Sequence, residues 1–119
     1  MKKIVVCSFV LLWFAAAGAQ KLNFNKNGLF KIVQFTDVHY VPENSKSDTA
    51  LLAIQRVLDA EEPDMVIFTG DIVTGRPVKT GWDTVTRLVI ERQIPFAVAL
   101  GNHDDESGTT RSELEKLIT

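Results

Sequence analysis

Pro63-Asp64-Met65-Val66-Ile67-Phe68-Thr69-Gly70-Asp71 is the stretch whose reading decides the fold. Met65 through Phe68 is an unbroken apolar run, too short for a helix and bounded by Pro63 in front and Gly70 behind. Such a run predicts a strand buried on both faces. The segments on either side of it change period. Leu51, Ile54 and Leu58 share one helical face with Ala50, Ala53 and Val57 beside them, Ser47 or Asp48 is placed to cap the start, and Pro63 closes the segment. Downstream, Trp82, Val85, Leu88 and Val89 form a second helical stripe. Further out the strand signal recurs on both sides. Leu29 to Phe35 is rich in β-formers, and Pro95 starts a second short run, Phe96 to Leu100, that Gly101 ends. Leu22 and Phe24 alternate with polar residues before Asn27-Gly28, a favoured two-residue turn, so a hairpin is expected to lead into the first strand. Ser112-Glu113-Leu114-Glu115 matches a capping box, with Leu114, Leu117 and Ile118 as the apolar face of a last helix. Strand, helix, strand, helix, strand, helix is the order of crossover units, and it predicts an α/β domain with a mostly parallel sheet.

The chain has 119 residues, 45% hydrophobic and 24% charged, with a mean hydropathy of +0.06. These values exclude a disordered chain and a multispanning membrane protein. Residues 1–19 read as an export leader. Met1-Lys2-Lys3 is a positive start, Ile4 to Ala17 is nearly all apolar, and Ala17-Gly18-Ala19 is a small-residue cleavage site before Gln20. The apolar stretch of about 14 residues falls short of the roughly 20 that span a bilayer. A periplasmic or secreted protein, free of the membrane after cleavage, is expected. Residues 20–119 then form one small domain. The single cysteine, Cys7, lies in the leader, which excludes disulfides and thiolate metal sites from the remainder. The net charge of −2 becomes more acidic once Lys2 and Lys3 are removed, and no basic run exists to hold a nucleic acid.

Each predicted strand ends in a polar cluster: Asp37-Val38-His39, Gly70-Asp71, and Gly101-Asn102-His103-Asp104. The carboxyl ends of parallel strands lie along one edge, where ligands bind, so the three clusters converge. Asp37 and His39 are two apart, and in an extended strand end both side chains leave on the same face to grip one ion. Asp71 offers two carboxylate oxygens, Asn102 an amide oxygen, and His103 an imidazole that ligates or transfers a proton. Taken singly, each is as readily a turn former or a surface group. Taken together they are not, since both histidines of the chain fall in these clusters. The donor set suits zinc, manganese, iron or magnesium.

In order and spacing the three clusters resemble the first signature blocks of the calcineurin-like metallophosphoesterases, over about residues 30–119. The resemblance implies the N-terminal half of a four-layer α/β/β/α sandwich with two divalent metal ions at the sheet ends. It implies that Asp37 and His39 hold one metal, Asp71 bridges both, and Asn102 holds the other. His103 would contact the phosphate and protonate the leaving oxygen, with Asp104 supporting the ligands by hydrogen bonds. Two such cations lower the pKa of a bound water to give a hydroxide that attacks phosphorus in line. Arg76 follows Asp71 closely enough to clamp a phosphate oxygen, its other role being a surface cation.

The sequence also departs from the family pattern. Further histidines, one alone and then a Gly-His-x-His block, complete both metal shells in the family, and no histidine follows His103 here. Together with a last helix that lacks a stop signal, this reads as the first portion of a longer enzyme. Thr74 stands where the family's protein phosphatases carry an acidic residue and its purple acid phosphatases a metal-binding tyrosine, so neither arrangement is expected. Tyr40 shapes the substrate mouth or packs locally, Trp82 belongs to the core, and Glu113 and Glu115 are read as solvated. The expected function is hydrolysis of a phosphomonoester or phosphodiester. The alternatives are an exported, non-catalytic metal- or ligand-binding domain, and a hydrolase of nucleotides or pyrophosphate links on the same scaffold.

Overall fold

A computed structural model describes residues 21–118, and the leader expected over residues 1–19 lies outside them. The element order is β1 (Ile32–Phe35), α1 (Asp48–Glu61), β2 (Met65–Thr69), α2 (Val78–Ile90), β3 (Phe96–Ala99) and α3 (Arg111–Ile118). The strands form one parallel sheet in the order β1-β2-β3, with Phe35 beside Phe68 and Phe68 beside Val98. This is the α/β arrangement that the alternation of periods predicts. Among the described residues no helix is long and apolar enough to cross a membrane.

Two crossovers that run the same way along a sheet place their helices over the same face. That face holds the core. Val66 and Phe68 of β2 are completely buried against Ile54 and Leu58 of α1 and Trp82, Val85 and Val89 of α2. Phe68 stacks on Phe35 at 5.8 Å between ring centroids and meets Phe96 edge-on at 6.2 Å. Leu114 brings α3 into the same cluster. The expectation that β2 is buried on both faces is not met, because Met65, Ile67 and Thr69 on its other side are only half-buried. Only the helical face is covered among the described residues, and Ile32 and Gln34 of β1 are exposed on the opposite side.

Three local expectations shift. Among the described residues no hairpin forms before β1. The Asn25 side chain accepts the N–H groups of Asn27 (2.9 Å) and Leu29 (3.0 Å), closing a self-contained loop, and Leu22 and Phe24 stay exposed outside any strand. Ser47 stands at the N-cap of α1 but makes no capping bond. Its hydroxyl instead donates to Val41 O (2.6 Å) and accepts from Val41 N–H (3.3 Å), which closes the 41–47 loop. The capping box of α3 sits two residues earlier than the Ser112 pattern. Thr110 N–H and Oγ1 both donate to Glu113 Oε2, at 2.8 and 2.7 Å, so Glu113 is exposed but engaged. Two overlapping matches to the same pattern occur here, and Arg111, bonded to Gly101 O, ties the start of α3 to the end of β3.

Candidate metal centre

Beyond Phe35 and Thr69 the chain does not diverge. Asp37 N–H donates to Gly70 O (3.0 Å), His39 N–H to Asp71 O (2.9 Å) and Tyr40 N–H to Ile72 O (2.8 Å). Tyr40 pairs with Val73 in an isolated parallel bridge and is buried, so it packs in the core rather than shaping a mouth. These bonds place the first two clusters side by side. Asp37, His39 and Asp71 each offer a ligand atom, and the three atoms lie within 4.8 Å of one another. Bonds to an ion of about 2.0–2.3 Å put two donors on one cation at most about 4.5 Å apart, so the set fits a single divalent ion with little movement.

The route to this convergence differs from simple strand alternation. Asp37, His39 and Asp71 all have left-handed backbones, with φ of 53°, 48° and 54°. The segment is not the extended strand end that the i, i+2 spacing presumes; its left-handed residues bring both side chains to one point instead. His39 Nε2 and Asp37 Oδ1 are 3.9 Å apart, too far for a hydrogen bond and close enough to share an ion. Left-handed conformations in non-glycine residues cost free energy and gather at functional sites. Asp37 is also held by Thr36 Oγ1, which donates to its Oδ2 at 2.7 Å.

The third cluster is joined to the second from beneath. Asp104 is fully buried, and its carboxylate accepts Gly101 N–H (2.7 Å), Asp71 N–H (2.9 Å), Ile72 N–H (2.9 Å) and Val73 N–H (3.3 Å). It is therefore oriented away from the ion position and toward the backbone that carries Asp71. His103 N–H donates to Asp71 Oδ1 at 2.8 Å. The approach is close enough to require glycine on both sides. A Cβ on Gly70 (φ +101°) would lie 2.7 Å from Gly101 Cα, and one on Gly101 would collide with Asp71 Oδ1. Asn102 is exposed between two residues whose N–H groups are bonded to Asp104 and Asp71.

The His103 ring lies 5.8 Å from that of His39, tilted by 51°. Its Nδ1 is 2.8 Å from Glu106 Oε2. This hydrogen bond, and next the Glu106 charge, outweigh desolvation and hold the imidazole above its ordinary pKa, with the Asp71 and Asp37 charges adding smaller contributions in the same direction. Glu106 was not among the residues singled out from the sequence. Its place three residues after His103, in a turn, is the signal that identifies such a pair. The Arg76 guanidinium donates through Nε to Ser107 O and packs over Gly108, so a phosphate reaching it competes with that carbonyl.

Comparison with known proteins places this site in a family. The chain is 36% identical to the phosphatase DCR2 of Saccharomyces cerevisiae over 86% of its length. It is 35% and 34% identical to the probable inactive purple acid phosphatases 14 and 29 of Arabidopsis thaliana, over 85% and 87% of its length. It spans 21%, 30% and 31% of those three proteins. The model of the calcineurin-like phosphoesterase domain matches residues 30–118, which include every residue of the cluster. With carboxylates and imidazoles gathered at the carboxyl edge of a parallel sheet, the chain belongs to the calcineurin-like phosphoesterase family.

Proposed function

We propose that the protein is an exported, divalent-metal-dependent phosphoesterase that hydrolyses a phosphomonoester or phosphodiester. The observation that carries this reading is the gathering of Asp37, His39 and Asp71 donor atoms within 4.8 Å, beside an imidazole that is not needed to complete the cluster. The leader pattern Met1-Lys2-Lys3 with Ile4 to Ala17 supports export. In this reading Asp37 and His39 would hold one divalent ion, Asn102 would hold a second, and Asp71 would be shared between them. Bound divalent ions supply Lewis acidity toward the phosphoryl oxygens and an activated water. Manganese, zinc, iron and magnesium all suit oxygen and imidazole donors.

The chain's own residues then do the remaining work. His103, outside the cluster and held by its N–H to Asp71, delivers a proton to the leaving oxygen. Asp104 keeps the backbone carrying Asp71 and the loop carrying Asn102 and His103 in one arrangement. The substrate is a phosphate ester rather than a nucleic-acid groove, in keeping with a net charge of −2 and no basic run.

A second reading is favoured by the names of two relatives, the probable inactive purple acid phosphatases 14 and 29. In it the same scaffold binds metal or ligand without turnover. One experiment separates the two. The full-length protein is titrated with Mn²⁺ by calorimetry and assayed with p-nitrophenyl phosphate and bis-p-nitrophenyl phosphate, alongside Asp71→Asn. Saturable Mn²⁺ binding with release of nitrophenol, both lost in Asp71→Asn, supports the phosphoesterase. Binding without release on either ester supports the non-catalytic reading.

A further inference from the structure

We propose that Glu106 is a positioning residue that fixes the tautomer and orientation of His103, so that Nε2 alone faces the reacting phosphate ester. The proposal rests on the phosphoesterase reading for its chemical consequence and on geometry for its substance. Glu106 Oε2 lies 2.8 Å from His103 Nδ1, and Glu106 N–H donates to His103 O at 3.2 Å, so side chain and backbone close the same turn. The other end of the residue is anchored as well, since His103 N–H donates to Asp71 Oδ1. With backbone and Nδ1 both held, the ring has lost its freedom to rotate, and Nε2 is the nitrogen left for chemistry.

Stability does not account for this pair. The side chains of His103 and Glu106 are 42% and 63% exposed, and an ion pair so solvated contributes little to folding. Its value lies in what it does to the imidazole. In the proton transfer the ring starts as the imidazolium with a proton on each nitrogen, and the Nε2–H bond breaks as the proton passes to the leaving oxygen and the phosphorus–oxygen bond breaks. The ring that remains keeps its Nδ1 proton on the Glu106 carboxylate, and Nε2 carries the lone pair. Without Glu106 the neutral ring is free to adopt the other tautomer and to swing about its terminal torsion.

The test uses the full-length protein loaded with Mn²⁺ and compares it with Glu106→Ala and Glu106→Gln on two esters. Phenyl phosphate has a poor leaving group that needs the proton; p-nitrophenyl phosphate has a good one that hardly does. Glu106→Ala is expected to lower kcat on phenyl phosphate by about 10- to 100-fold with KM unchanged. The loss on p-nitrophenyl phosphate is expected to be several times smaller. Glu106→Gln, which keeps an oxygen acceptor, is expected to recover part of the loss. Independently of turnover, the ¹⁵N resonances of the His103 ring, read on the neutral imidazole in Mg²⁺-loaded protein because Mn²⁺ is paramagnetic, should report the Nδ1–H tautomer in the native protein and the other tautomer in Glu106→Ala. Equal losses on the two esters, or no loss, with an unchanged tautomer would overturn the proposal. If the native protein hydrolyses neither ester, the phosphoesterase reading fails, and the ring resonances alone decide whether Glu106 sets the tautomer. Should Glu106→Ala not fold, Glu106→Gln carries the same comparison.

Discussion

Asp37 and Asp104 lie on loops that meet at one edge of the sheet, and they are held on opposite terms. The Asp37 side chain is 65% exposed, sits on a left-handed backbone, and accepts a hydrogen bond from the Thr36 hydroxyl. Asp104 is 0% exposed and accepts four backbone N–H groups from two loops. The contrast separates two tasks that a carboxylate performs in a metal site. One is to remain under-satisfied and strained so that a cation completes it; the other is to be saturated by the protein so that the first stays in place.

The largest test of that division is Asp104→Asn. The amide has one oxygen in place of two and turns an N–H₂ group toward backbone N–H donors, leaving buried donors unpaired. A loss of about 3–5 kcal/mol is expected, because breaking a buried charged hydrogen-bond network costs that much. Equilibrium urea denaturation measures it. A loss under about 1 kcal/mol, the scale of an exposed pair, would erase the contrast with Asp37.

Gly101→Ala tests the junction between the two kinds of residue. A methyl group there meets Asp71 Oδ1 and the Asp71 N–H, so either the loop after β3 retreats or Asp71 turns. Overpacking of this kind costs about 1–3 kcal/mol. Mn²⁺ affinity should fall with it, and calorimetry alongside denaturation shows whether the two losses arise together.

The metal-cluster side of the contrast predicts the opposite sign. His39 has φ of 48°, and its side chain is half exposed, with the Asp37 carboxylate 3.9 Å from its Nε2. His39→Gly removes a ligand and relieves the left-handed backbone, so stability should rise by up to about 1 kcal/mol. Mn²⁺ binding should weaken by at least about tenfold. A protein both less stable and still able to bind would show that His39 serves packing rather than the ion.

What was legible in the sequence divides along the same line. Met65 to Phe68 and Phe96 to Leu100 read as strands, and the Trp82–Val89 stripe as a helix, because burial of an apolar face leaves a period that survives in one dimension. That three strand ends converge follows from parallel order alone. The half-covered face of β2 was not legible, since a run of apolar residues does not record what lies on each side of it. Nor were the left-handed backbones of Asp37 and His39, which arise from hydrogen bonds to Gly70 and Asp71 on the neighbouring chain segment. The hairpin expected at Asn27-Gly28 failed for a local reason, since Asn25 closes the turn with its own side chain. Glu106 was not legible because a spacing of three from His103 marks a pair only where the chain turns between them, and the sequence does not show that turn.

The smallest expected effect lies at the far end of the third loop, where α3 begins. Thr110 N–H and Oγ1 donate to Glu113, and these bonds hold its carboxyl below the ordinary carboxylate range. A carboxyl whose pKa is lowered by folding contributes stability above its unfolded value, and that contribution is lost as pH falls through the folded value. Stability of α3 docking should therefore decline on acidification below the ordinary carboxylate range, and Glu113→Gln should flatten that part of the profile. Thr110→Ala removes the cap itself and is expected to cost about 1 kcal/mol. Because Arg111 bonds to Gly101 O, a frayed start of α3 loosens the loop that carries Asn102 and His103. Thermal melts from pH 7 to pH 3, read with Mn²⁺ affinity at pH 7, show whether the cap acts on folding alone or reaches the ion. An unchanged Mn²⁺ affinity in Thr110→Ala would confine the site's support to Asp104, and a loss of about twofold or more would extend it along the loop to α3.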